Sequence, residues 1–161
     1  AELAQPDFVE YVEQCLKKTG LPATALKLEI TERMILENTG LAITQLAKLR
    51  SLNVEVQLDD FGTGYSSLLY LQQFPIDALK IDRSFVSRLG LNGNGTEIIR
   101  TILTLAHDLG IKVVAEGVET PQQLDKLRVL KCEYAQGYIY AKPLDPQAAD
   151  ALIARLATPD A

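Results

Sequence analysis

The sequence has 161 residues, the size of one domain, and its 47% apolar and 23% charged residues are typical of a globular chain rather than a disordered one. Acidic residues outnumber basic ones by 21 to 16, and the formal charge of −5 argues against a groove that follows the phosphates of a DNA or RNA polymer. A nucleotide held through metal ions stays compatible with this charge, because metal ions require carboxylates.

Two further features indicate the cellular setting. Cys15 and Cys132 lie far apart and form neither a metal-binding nor a redox pair, which favours a reducing, cytoplasmic location. No stretch approaches the ~18 uninterrupted apolar residues of a membrane helix. The chain begins at Ala1 without a methionine, so we expect it to be part of a longer protein.

Helical and strand-like patterns alternate along the chain. The first half predicts a helix from Phe8 to Gly20, a strand at Leu26–Thr31, a helix at Leu41–Leu52, a strand at Val54–Asp59, a glycine-bearing loop at 60–64 and a short helix capped near Ser66 or Ser67. The second half predicts a strand at Ala78–Asp82, a turn at Gly90–Gly95, a helix at Thr96–Leu109, a strand at Ile111–Ala115, a helix opened by Pro121, a strand at Cys132–Gln136 and a helix from Asp145.

Five strands alternating with helices predict an α/β fold with a parallel sheet. Strands of a doubly wound sheet are covered on both faces and are therefore continuously apolar. Here alternate positions are polar, as in Glu55, Gln57 and Asp59. A barrel whose lumen carries an active site explains this polar face better than an open sheet does, although the open sheet remains an alternative.

Polar side chains also collect where the predicted strands end, which is where α/β folds place their functional groups. These residues are Glu29, Glu32, Asp59, Asp60, Lys80, Asp82, Glu116, Glu119 and Gln136. Carboxylates without paired cysteines or histidines suit a hard cation, Mg²⁺ or Mn²⁺. Adjacent Asp59 and Asp60 point to different sides of a regular strand, so two ions could be held near each other, an arrangement suited to phosphodiester cleavage. Lys80 could orient a water molecule or place a positive charge near a phosphate. Alternatively, it could be a structural lysine that forms a salt bridge in the barrel lumen.

Five segments carry a resemblance to a known family. They are Glu29-Ile-Thr-Glu32, Asp59-Asp-Phe-Gly-Thr-Gly-Tyr-Ser-Ser67, Leu79-Lys-Ile-Asp82, Ala115-Glu-Gly-Val-Glu119 and Gln136-Gly-Tyr138 with Lys142-Pro143. In this order they closely resemble the EAL domain, the bacterial cyclic-di-GMP phosphodiesterase family with a TIM-like barrel. The resemblance implies hydrolysis of one phosphodiester of cyclic-di-GMP to linear pGpG, with two Mg²⁺ or Mn²⁺ ions in the intact domain.

The resemblance also implies roles for the residues of the reaction centre. Glu29 and Asp59 correspond to metal ligands, with Asp59 between two ions, and Asp60 corresponds to a ligand of the second ion. Lys80 corresponds to a residue that positions or activates the water, and Glu116 to an essential glutamate near the metals.

Four further positions match the family around that centre. Glu32 corresponds to the anchor of the loop at 60–66, and Gln136 to a substrate contact late in the barrel. Asp82 and Glu119 match additional polar positions of the site.

The sequence departs from the family at its start. The Glu-Ala-Leu signature and the following strand, whose asparagine is a metal ligand, are not in it, and a full barrel takes about 250 residues. We therefore expect residues 1–161 to form a single truncated EAL domain that lacks the first three strands of the family barrel. Five strands leave two open sheet edges, so the isolated chain is expected to dimerise or associate and to be weakly active or inactive.

Two other functions remain open. A module that binds cyclic-di-GMP or a protein partner without cleaving the nucleotide would have the same motifs, and so would a fragment without a role of its own. The family resemblance further implies other signalling domains in the parent protein, which could itself be attached to a membrane.

Overall fold

The computed structural model describes residue 3 and residues 5–62, 71–90 and 94–157. None of the helices in these ranges is both long enough and apolar enough to cross a membrane.

Helices and strands alternate along the described chain. The helices are α1 (Phe8–Thr19), α2 (Glu32–Glu37), α3 (Thr39–Ser51), α4 (Arg83–Val86), α5 (Asn94–Asp108), α6 (Pro121–Val129) and α7 (Pro146–Ala157), with a 3₁₀ turn at Ala23–Ala25. The strands are β1 (Lys27–Thr31), β2 (Glu55–Phe61), β3 (Ala78–Ile81), β4 (Lys112–Ala115) and β5 (Tyr134–Ala135).

All five strands are parallel and pair in the order β1-β2-β3-β4-β5. The chain therefore moves to the next position of the sheet in one direction at every step, as in a (β/α) barrel, whereas a doubly wound sheet reverses its order at a switch point. The predicted α/β fold with five parallel strands is confirmed, and the sequential order favours the barrel over the open-sheet alternative.

Several boundaries differ from the predicted ones. Two short helices, α2 and α4, directly follow strands and were not predicted, and the last strand is reduced to Tyr134–Ala135. The helix predicted near Ser66 or Ser67 lies outside the described residues, as do positions 91–93 of the predicted glycine-rich turn.

Helix ends follow recognisable local signals. Gly20 terminates α1 in the left-handed conformation (φ +70°), with its N–H donating to the carbonyl of Leu16. Thr120 and Gln123 form a reciprocal capping box at the start of α6, next to Pro121. These signals account for the helices that the sequence predicts well.

The core lies between the sheet and its helices. Leu46 and Leu49 of α3 and Ile99 of α5 are fully buried, as is Leu79 at the centre of the sheet. Each such side chain contributes about 1.5–3 kcal/mol through removal from water. The helix-facing side of the sheet is therefore the stabilising side, which leaves the opposite face available for polar groups.

That opposite face carries the predicted polar side chains. It encloses a cavity of about 300 Å³, whose polar lining consists of Lys27, Glu29, Glu55, Gln57, Tyr134 and Gln136. Lys27 pairs with Glu55 across the β1–β2 register (3.1 Å), and Gln57 donates to the same Glu55 carboxylate (2.8 Å). The polar side chains of Lys27, Glu55 and Gln57 are thus bonded to one another. The acidic cluster lies further along the same face, towards the ends of the strands.

Candidate active site

Lys80 is the centre of the acidic cluster. It lies in β3, where all four residues are buried, and its side chain is 5% exposed. Its ammonium nitrogen Nζ is 2.7 Å from Glu29 Oε1, 3.2 Å from Asp59 Oδ1 and 2.7 Å from Glu116 Oε1. Strands β1 and β2 and the residue that follows β4 thus bring one carboxylate each to the same cation.

These contacts decide the protonation state of Lys80. Burial by itself lowers the pKa of the ammonium, but the hydrogen bonds to Glu116, Glu29 and Asp59 outweigh it, and the pKa is raised above its ordinary 10.5. Lys80 is therefore an ammonium at neutral pH and is not a proton acceptor there.

A bulge at the end of β2 places the two adjacent aspartates. The β2–β3 register shifts between Leu58 and Phe61, and Asp60 within this interval has a left-handed backbone (φ +55°). Asp tolerates this conformation better than most residues do, because its short side chain bonds locally. The Asp60 N–H donates to Asp59 Oδ1 (3.0 Å). The regular alternation that the sequence predicts for the two side chains is therefore interrupted.

Carboxylate oxygens of Asp59, Asp60 and Glu116 lie within 4.8 Å of one another. Oxygen donors from three carboxylates form the donor set that Mg²⁺ and Mn²⁺ prefer, so the residues present fit a hard divalent cation. Glu29, predicted as a metal ligand, contacts the Lys80 ammonium instead of joining this group of three. Its predicted role stays a prediction.

The other four predicted residues have different positions. Glu32 is the first residue of α2, and its Oε1 accepts from the Gly62 N–H at 3.5 Å, directly after the bulge. The rest of the loop that Glu32 was expected to anchor, residues 63–66, lies outside the described part of the chain. Gln136 lines the cavity on the polar face, and its backbone pairs with Ala115.

Asp82 and Glu119 lie next to the starts of α4 and α6. Asp82 caps α4, because its Oδ1 accepts from the Ser84 N–H (2.9 Å). The pKa of Asp82 is lowered mainly by a hydrogen bond from the Ser84 side chain and, to a smaller extent, by the backbone N–H groups of Ser84 and Arg83. Glu119 is exposed, and its backbone N–H donates to Gln123 at the start of α6. Within the described ranges its carboxylate makes no ion pair or hydrogen bond.

Helix α4, which contacts two turns of this site, was not predicted from the sequence. The signal was present in Asp82 followed by Ser84, since Asp at a strand end is a strong helix cap. A helix of four residues is too short to show an apolar period, so only the cap could have indicated it.

Comparison with known proteins decides the family. The profile of the EAL domain matches residues 1–143. The chain belongs to the EAL domain family. Over 144 residues it is 47% identical to the cyclic di-GMP phosphodiesterase NbdA of Pseudomonas aeruginosa, an alignment that covers 89% of this chain and 18% of NbdA.

Solved EAL structures share the fold. The EAL domain of Mycobacterium smegmatis DcpA superposes with a TM-score of 0.90 at 41% identity, covering 96% of this chain and 69% of that one. Klebsiella pneumoniae BlrP1, solved in complex with manganese and cyclic di-GMP, superposes with a TM-score of 0.80 at 31% identity, covering 88% of this chain and 36% of that one. The chain spans less than a fifth of the length of NbdA.

Proposed function

We propose that this EAL chain is the C-terminal part of a phosphodiesterase domain that hydrolyses one phosphodiester bond of cyclic di-GMP to give linear pGpG. The observation that carries the proposal is the meeting of Asp59, Asp60 and Glu116 carboxylates beside a buried lysine, in a family whose relative NbdA is a cyclic di-GMP phosphodiesterase. A chain that served only to pack against a partner would not require this concentration of charge.

The metal ligands in this proposal are Asp59, Asp60 and Glu29, with Glu116 beside them. When bound, Mg²⁺ or Mn²⁺ would supply positive charge for the phosphodiester oxygens and lower the pKa of water, and two ions would suit an in-line displacement. BlrP1 has been solved with manganese and with calcium, which supports a divalent cation in this site.

Lys80 acts in this proposal as a fixed positive charge. Since its pKa is raised, the ammonium stays charged, and its three N–H groups orient the carboxylates of Glu29, Asp59 and Glu116. To bind a water or a phosphoryl oxygen directly, one of these N–H groups would turn away from its carboxylate, while the positive charge acts on the phosphate from where it is. An ammonium has no lone pair to accept a proton, so a carboxylate oxygen of the cluster is the more suitable acceptor for the proton of the attacking water.

The remaining predicted residues support this centre. Glu32 anchors the start of the loop after the bulge, Gln136 contacts the nucleotide, and Asp82 and Glu119 keep the surrounding backbone in place. Residues 1–161 form one truncated domain in this proposal, and the isolated chain has little or no turnover, because a single EAL barrel would be completed by further strands.

A binding module is the second candidate. A site that keeps the carboxylates but lacks a complete metal set would hold the nucleotide without cleaving it. The relative BlrP1 has been solved in complex with cyclic di-GMP, which supports nucleotide binding as a function of this fold.

The test uses two proteins: the 161-residue chain, and a chimera in which the N-terminal part of the NbdA EAL domain precedes it. Each is incubated with cyclic di-GMP and Mn²⁺, and the products are separated by chromatography. We expect pGpG from the chimera and little from the chain. Asp59→Asn in the chimera should reduce turnover by more than about 100-fold, above what the loss of an outer-shell partner costs.

The matched control is Asp125→Asn, the same chemical change at an exposed position of α6 that pairs with Arg128. It should leave turnover unchanged. Cyclic di-GMP binding without product in the chimera would favour the binding module, and wild-type turnover by Asp59→Asn would remove Asp59 from the metal site.

A further inference from the structure

The short helix α4 (Arg83–Val86) has a fixed position relative to Lys80. It begins two residues after Ile81 ends the hydrogen-bonded part of β3, and Asp82 caps it through the Ser84 N–H (2.9 Å). A four-residue helix has few internal hydrogen bonds, so its cap and its packing determine where it lies.

Phe85 of α4 packs against Gly62, the second residue after Asp60. A Cβ at Gly62 would lie 2.9 Å from the Cε2 and Cζ atoms of the Phe85 ring, so the ring occupies the space that any larger residue would need. Gly62 has φ +92°, a conformation that side-chain-bearing residues rarely adopt. The backbone that leaves the Asp59–Asp60 bulge is thus in direct contact with the Phe85 ring.

Arg83, at the other end of α4, contacts the turn that follows Glu116. A Cβ at Gly117 (φ +68°) would lie 2.5 Å from the Arg83 Cβ. On its other side this turn is held by β5, because the Val118 N–H donates to the Gln136 carbonyl (3.0 Å). The backbone around Glu116 is therefore confined between α4 and the last strand.

From these two contacts we propose that α4 is a bridging helix that sets the separation of the Asp60 and Glu116 carboxylates, with Phe85 as its main positioning residue. The inference rests on the proposed metal site, in which Asp60 and Glu116 lie next to the two turns that α4 contacts. Carboxylates on two different segments favour an ion only when the segments keep a fixed separation, and the loss of such outer support costs about 10–100-fold in affinity.

The first experiment replaces the ring without removing apolar character. Phe85→Leu in the 161-residue chain should weaken Mn²⁺ binding, measured by calorimetry, by about tenfold, although every carboxylate is retained. Hydrogen exchange should become faster both at the Gly62 amide, which donates to Glu32, and at the Glu116 and Val118 amides, which pair with Ile81 and Gln136.

Phe74→Leu is the matched control. Phe74 is a buried ring in the segment that enters β3, at the opposite end of that strand from the site. The same substitution there should lower the free energy of unfolding but leave Mn²⁺ affinity and the exchange rates of both turns unchanged. If Phe74→Leu weakened Mn²⁺ binding as much as Phe85→Leu, the effect would be one of general stability, and the bridging role would be refuted.

A pair of glycine variants separates the contact from backbone strain. Gly117→Ala and Gly110→Ala place a side chain at nearly the same φ (+68° and +70°), but only the former meets another atom within 4 Å, at Arg83. Gly117→Ala should weaken Mn²⁺ binding and speed exchange at Gly62, on the far side of α4, whereas Gly110→Ala should do neither. Unchanged exchange at Gly62 in Gly117→Ala would overturn the proposal.

The two readouts also separate this inference from the proposed function. If the wild-type chain bound no Mn²⁺, the metal site of this chain would fail, while exchange at the two turns would still decide whether α4 couples them. If Mn²⁺ bound normally to Phe85→Leu while the amides of both turns exchanged faster, the proposed metal site would be retained, and the positioning role of Phe85 would be refuted.

Discussion

At the residue scale, Lys80 neutralises part of the negative charge of the three carboxylates around it. Its nitrogen lies within 3.2 Å of three carboxylate oxygens while its own side chain is almost excluded from water. A buried charge of this kind persists only when its partners are retained, because the cost of leaving one ion of a buried pair unpaired is about 3–5 kcal/mol.

Lys80→Met should therefore reduce the free energy of unfolding by about 3 kcal/mol at pH 7, the lower end of that range, since Glu29 is half exposed. Without the ammonium, three carboxylates are left close together with no cation between them. Urea denaturation at pH 7 measures the loss. Lys18→Met, at an exposed site of α1, is the control, and a loss as large for Lys18→Met as for Lys80→Met would contradict the interpretation.

Lys80 also has a pH dependence of its own. Because its folded pKa is raised above the ordinary 10.5, its stabilising contribution is complete below pH 10.5 and declines as the pH rises further. The Cys132 thiol acts in the same range, since burial raises its pKa from 9.0 to about 11. Both groups therefore make the fold less stable in strongly alkaline solution.

The sequence predicted which residues meet but not how each one is placed. Parallel strands end at one edge of a sheet, so acids at successive strand ends had to come together, and Glu29, Asp59, Lys80 and Glu116 do. The left-handed backbone of Asp60 could not be predicted, because it depends on the offset between β2 and β3. That offset is a tertiary property with no local signal in the residues.

At the element scale, strong caps and periodic apolar residues made the long helices predictable, whereas the short helices α2 and α4 were not predicted. Helix α5 shows its apolar face at Ile99, Ile102 and Leu103 over several turns, but α4 has four residues and one cap. The last strand was predicted too long, because only Tyr134 and Ala135 of the predicted range are in strand register with β4, while Gln136 adds a single hydrogen bond to Ala115. Pairing partners, not composition, limit that strand.

The cap of α4 gives a test at this scale. Asp82→Ala should lower the free energy of unfolding by about 1 kcal/mol, the usual cost of losing an N-cap, and Asp82→Asn by only a few tenths, since Asn caps nearly as well. The pKa of Asp82 is lowered by its bond to Ser84, so its contribution is present above the ordinary pKa of 3.8 and is lost as the pH falls below it. Thermal unfolding at pH 7 and pH 3 measures both effects.

An Asn variant as costly as the Ala variant would show that charge, rather than the hydrogen bond to Ser84, supports α4. Asp145→Ala provides the comparison, because Asp145 Oδ1 accepts from the Ala148 N–H (2.9 Å) at the start of α7, away from the acidic cluster. It should cost a similar free energy and leave Mn²⁺ binding unchanged.

At the scale of the whole molecule, the sheet has two edges among its described strands, because β1 pairs with β2 alone and β5 with β4 alone. Apolar side chains are exposed in β5 and in the chain that follows it: Tyr134, Tyr140, Ile153 and Leu156 are between 50% and 72% exposed. Unpaired strand edges beside exposed apolar surface are a common cause of association between chains.

We therefore expect the 161-residue chain to self-associate at micromolar concentration through this side of the sheet. Leu156→Glu should shift the equilibrium towards the monomer, because a charge in an apolar contact loses hydration without gaining a partner. Sedimentation velocity over a concentration series measures the shift. Gln147→Glu adds the same charge at an exposed position earlier on α7 and should leave association unchanged. A monomer at every concentration would refute the prediction, and equal effects of the two variants would show that net charge, rather than the apolar face of α7, controls association.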